Sequence, residues 1–79
     1  MNISFEAQQI KDGKPVVFYT MLDGIKIGAV WLPASTNRWT WAVHDPKGGA
    51  IEAKMSASLD EAKSLSVICA QENISILKA

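Results

Sequence analysis

At 79 residues, with 48% hydrophobic and 20% charged side chains, the chain has the make-up of one small globular domain spanning 1–79, not of a disordered or fibrous segment. Eight basic and eight acidic residues cancel and are interspersed, so no net field draws in a polyanion, and Arg38 is the one arginine. A single cysteine, Cys69, excludes an internal disulfide, the start MNISFEAQQ lacks the basic and apolar parts of a leader, and no apolar run nears the ~20 residues of a membrane span, so a cytoplasmic protein is expected.

From Ile3 to Ile10 the chain alternates, with Ile3, Phe5 and Ala7 on one side and Ser4, Glu6 and Gln8 on the other, which predicts a strand with one wet face. Lys11 to Pro15 is a turn around Asp12-Gly13. Val16 to Leu22 predicts a second strand, apolar on both faces: Val16, Phe18 and Leu22 against Val17, Tyr19 and Met21. Asp23-Gly24 is a second hairpin turn. In the third strand, Ile25 to Leu32, strict alternation groups Ile25, Ile27, Ala29 and Trp31 against Lys26, Gly28 and Val30.

Pro33 to Asn37 is a polar connector, and Arg38 to His44 alternates again. Trp39, Trp41 and Val43 share one face of it; Arg38, Thr40, Ala42 and His44 share the other. Asp45 to Gly49 closes a hairpin into a fifth strand, Ala50 to Met55, with Ile51, Ala53 and Met55 expected inward and Glu52 and Lys54 outward. The period then changes. Ser58 and Glu61, three apart before an apolar run, form the capping-box signature of a helix start. Leu59, Ala62, Leu65, Ile68 and Cys69 gather on one side of a helix that runs to about Glu72, with Val67 falling on the polar side and Asn73 as its C-cap. Ile74 to Leu77 fits either a last edge strand or a tail laid over the core.

The sum is an α+β protein: an antiparallel meander of about five strands, β-β-β-β-β-α, with one C-terminal helix packed on one sheet face. The face bearing both tryptophans is all apolar and belongs under that helix.

The chemistry of catalysis and metal binding is sparse. His44 is the one histidine, with no nucleophile motif, second histidine or conspicuous carboxylate pair beside it, so no enzyme is expected. One cysteine and one histidine do not make a structural zinc site, and Gly48-Gly49 lacks the flanking residues of a phosphate loop; no metal and no cofactor are expected. Cys69, on the apolar helix stripe, reads as a buried, inert thiol.

The other sheet face carries the functional expectation. A helix of about 14 residues is ~10 Å wide, whereas five strands span about 24 Å, so the face away from the helix stays bare. There the pattern places Val17, Tyr19 and Met21 beside Val30, rimmed by Lys26, Arg38, Thr40, His44 and Lys54. An apolar centre with a mildly basic rim is the anatomy of a protein-interaction patch, for a partner or for a second copy in a homodimer.

The segment R-W-T-W-A-V-H-D-P-K-G-G, followed by S-L-D-E-A-K, resembles small phage and prophage proteins in which a W-x-W strand, a D-x-x-G turn, a short strand and an S-x-x-E-A-K helix start recur. The likeness covers residues 38–70, less than half of the chain. It implies an accessory protein that acts by binding, such as an inhibitor of a host anti-phage complex of the CRISPR kind. The order of three strands then a helix is also similar to the plant GCC-box-binding domain and to integrase arm-binding domains. That implies an alternative, DNA reading through the open sheet face. Those domains use several arginines and tryptophans on that face, whereas here the tryptophans lie opposite and Arg38 is joined only by lysines. Protein binding is therefore the expected function and nucleic acid the disfavoured partner.

Overall fold

The computed structural model describes residues 2–77. Five strands, β1 (Ile3–Lys11), β2 (Lys14–Leu22), β3 (Ile25–Trp31), β4 (Thr40–His44) and β5 (Ala50–Met55), form one antiparallel sheet in the order β1-β2-β3-β4-β5. Helix α1 (Leu59–Glu72) and the one-turn α2 (Ile74–Leu77) follow. The α+β meander expected from the sequence is the observed fold.

The turns form where the chain tolerates positive φ. Asp12 (φ 53°) and Gly13 (φ 77°) close β1 to β2, and Asp23 (φ 49°) and Gly24 (φ 85°) close β2 to β3. Positive φ at both central residues is the type I′ geometry that matches the sheet's twist. In the β4–β5 turn the Asp45 carboxylate accepts from the backbone N–H of Lys47 (2.7 Å) and of Gly49 (3.2 Å).

Register divides the sheet into rows. On the helix side, Ala7, Phe18, Val30, Trp41 and Lys54 lie in one row across the strands, and Phe5, Thr20, Gly28, Val43 and Glu52 in the next. Their central members are buried, with Val30 and Val43 fully enclosed and Trp41 3% exposed. The W-x-W pair therefore belongs to the core: Trp39, just ahead of β4, packs against it with its ring 6.1 Å from that of Phe18.

Two assignments of strict alternation are corrected by bulges, where an extra residue on one strand reverses the side-chain phase. Between Thr20↔Gly28 and Met21↔Lys26, β3 carries Ile27 as the extra residue, so Ile27 and Val30 both turn to the core. Val30 is thus not on the open face, and Ala29 and Trp31 are. Between Val43↔Glu52 and His44↔Ala50, β5 carries Ile51 as the extra residue. Ile51 packs against the core, but Ala53 and Met55 go to the open side and Met55 is 54% exposed. Glu52 and Lys54 take the helix side at the sheet's edge, joined by a 3.0 Å ion pair.

Helix α1 begins as the capping signature predicts. The Ser58 hydroxyl accepts from the Glu61 N–H at 3.1 Å, while the Glu61 carboxylate accepts from the Ala57 N–H, one residue ahead of the cap. Its buried face is Ala62, Ser66, Cys69 and Ala70. That corrects the expected stripe: Ile68 is 50% exposed, and Ser66 takes an inward place. Small residues at spacing four let the helix settle close over β4 and β3. Ser66 tolerates burial because its hydroxyl donates to the Ala62 carbonyl at 2.7 Å. At the other end, Asn73 donates through its backbone to Cys69 and Ala70 and through its amide to the Cys69 carbonyl. The turn of α2 then lays Leu77 into the core, so the C-terminal tail covers the core instead of adding a strand.

Candidate protein-binding face

Both helices pack on the side of Trp41 and Val43, which leaves the opposite rows of the sheet half-exposed. One such row runs Val17, Trp31, Thr40, Met55; the next runs Tyr19, Ala29, Ala42, Ala53, with Glu6 at its β1 end. The second row sets three alanines side by side next to Tyr19. Trp31 and Met55 belong to the neighbouring row, and Tyr19 stands at the β2 end of the alanines.

Of the nine residues expected at this face, the structure brings together Val17, Tyr19, Met21, Lys26, Thr40 and His44. Lys26, paired with Met21 across the bulge, places its ammonium 4.0 Å from the centroid of the Tyr19 ring, a cation–π contact that steadies the phenol. Thr40 sits between Trp31 and Met55, and its hydroxyl donates to the Arg38 carbonyl at 3.2 Å. At the end of β4 the half-buried His44 has Nδ1 3.0 Å from the Asp45 carbonyl oxygen. A carbonyl only accepts, so Nδ1 carries the proton.

Three residues fall outside, the first being Val30, which the β3 bulge turns to the core. Arg38 is exposed in the connector ahead of β4, not in the strand. Lys54 belongs to the other face, because the β5 bulge reverses the alternation that placed it here. The residues missed by sequence reasoning are Trp31, Ala29, Ala53 and Met55. Ala42 was legible from the clean alternation of β4; the others depend on bulges at Ile27 and Ile51 that leave no mark in residue type.

The remaining reactive groups lie apart. Cys69 is buried, and its thiol is pushed above the ordinary range by burial first and then by the neighbouring Glu52 carboxylate. The hydrogen bond and charge of Lys54 hold Glu52 below the usual carboxylate range. Among the described residues no group of three His, Cys, Asp or Glu side chains gathers as a metal would need, and no helix is long and apolar enough to cross a membrane.

No family model, curated protein or solved structure matches the chain.

Proposed function

We propose that this chain is a small, non-enzymatic protein-binding module whose docking surface is the open sheet face. The observation that carries the reading is the continuity of Val17, Trp31 and Met55 with Tyr19 and its alanine row on the side away from both helices. Aromatic and methionine side chains beside a row of small residues, rimmed by Lys26, Thr40 and His44, match the core-and-rim composition of protein interfaces. The face accepts either a target protein or a second copy of the chain. The resemblance to phage accessory proteins supports reading that binding as inhibition of a host complex.

The test pairs wild type with Tyr19→Glu. Sedimentation at micromolar concentration reads self-association, and nuclease-treated affinity capture from host extract reads a target. The expected result is a dimer or a captured protein with wild type and its loss with a folded Tyr19→Glu. A monomer whose captured proteins are unchanged by Tyr19→Glu removes this face as the docking surface. Duplex DNA is expected to bind no tighter than about 10 μM at physiological salt, weak even for non-specific association. A sub-micromolar complex that weakens on Arg38→Ala replaces the protein-binding reading with DNA reading.

A further inference from the structure

A concave site lies at the far end of the sheet, between the β1–β2 hairpin and the connector that leads into β4. It is an open cleft of about 580 Å³, within the size of ordinary ligand sites. Its walls are apolar: Pro15, Val16, Leu32 and the indole of Trp39, all half-buried. One side of that indole leans on Phe18, which fixes the ring.

The mouth is charged in an unusual way. Lys11 and Lys14 are directly paired across the hairpin, so both side chains leave the sheet on the same side, and both line the cleft. Like charges facing each other across two strands are destabilising. Among the described residues neither lysine has an ion-pair partner. Asp12, in the turn between them, also lines the cleft and leaves a net single positive charge at the mouth.

We infer that this cleft binds an acidic peptide segment, with an aromatic or branched apolar side chain lying against Trp39 and Leu32 and a carboxylate between Lys11 and Lys14. The carboxylate relieves the lysine–lysine repulsion, and the apolar walls take up the side chain beside it. A nucleic acid fits less well. The aliphatic walls around the indole suit a side chain better than a stack of bases. The inference goes beyond the open-face reading, because it concerns a different surface and a stated partner chemistry.

The test is fluorescence anisotropy with a labelled Glu-Asp-Phe-Asp-Glu peptide, its neutral Gln-Asn-Phe-Asn-Gln counterpart and a labelled oligothymidylate. The acidic peptide is expected to bind, to move the Trp39 indole N–H resonance, and to weaken on raising salt. Lys11→Gln/Lys14→Gln is expected to weaken it about tenfold, as loss of two exposed ion pairs of middling strength does. That variant keeps the apolar walls and removes a repulsion, so its melting midpoint stays at or above wild type and the loss is not one of folding. Tyr19→Glu is expected to leave this binding intact, which separates it from the open face. Equal binding of the neutral peptide, no binding of the acidic one, tighter binding of the oligothymidylate or an undiminished double variant overturns the inference.

Discussion

The Lys63 ammonium lies 4.3 Å from the centroid of the Phe18 ring and 5.4 Å from that of Phe5, so a lysine of α1 roofs the part of the sheet that the helix itself does not reach. α1 packs mainly over β4 and β3, and the aromatic rings of β1 and β2 would otherwise face water on this side. The stem of Lys63 covers apolar surface while its charge meets the ring faces. Lys63→Ala is expected to cost about 1 kcal/mol, lowering the melting midpoint by roughly 4–8 °C in a domain of this size. Lys63→Met keeps the stem and is expected to recover part of that loss. Equal midpoints for wild type and Lys63→Ala would show the roof to be idle.

Thr20 offers the opposite experiment. It is fully buried in the sheet's helix-side row, and its hydroxyl has no hydrogen-bond partner among the described residues. An unpaired buried hydroxyl costs on the order of 1–3 kcal/mol. Thr20→Val keeps the β-branched shape and removes the polar atom, so it is expected to raise stability by about 1 kcal/mol in urea unfolding. A decrease would show that the hydroxyl is satisfied in solution.

At Gly28 the limit is space. A Cβ there would collide with the carbonyl oxygen of Ala42 on the neighbouring strand, which is backbone and cannot swing away. Gly28→Ala is expected to force β3 from β4 and cost at least about 2–3 kcal/mol, in the range of overpacked cores. Amide exchange across the β3–β4 pairs reads the damage locally. Unchanged protection there would mean that the strands absorb a methyl group freely.

Cys69 predicts a pH dependence whose sign follows from its neighbours. Burial and the Glu52 carboxylate both favour the neutral thiol, raising its folded pKa above the unfolded one. That stability is fully present below the ordinary thiol range and is lost as pH rises through the folded value. Native protein at pH 8 is expected to react with a thiol reagent far more slowly than urea-unfolded protein, and the midpoint of Cys69→Ala to fall less steeply than wild type under alkaline conditions. Rapid native labelling would place the thiol in solvent.

The sequence carried the element order because each boundary has local chemistry behind it. Asp-Gly pairs turn where positive φ is needed, and Ser58 with Glu61 opens the helix in three dimensions as it does on paper. The faces were less legible. Each bulge adds one residue to a strand, and nothing about Ile27 or Ile51 as residue types marks them as extra; yet each reverses the side chains beyond it. Hence Trp31 and Met55 were hidden from the candidate face while Val30 and Lys54 were wrongly given to it. The helix misled for another reason: its buried ridge is made of small residues, including Ser66, and hydrophobicity alone favours Ile68 over them.

The sheet's spatial order is also its chain order, since β1 pairs with β2, β2 with β3, and so on to β5. Every strand thus meets a partner only a short closure away, and the return of α1 over β3 and β4 is the long-range step that completes the core. Such local connectivity gives a low mean sequence separation of contacts, which speeds folding relative to sheets whose strands are shuffled. Refolding is accordingly expected within on the order of milliseconds and in one phase, with docking of the Ala62–Ser66–Ala70 ridge as the step that locks Trp39 and Trp41 in place.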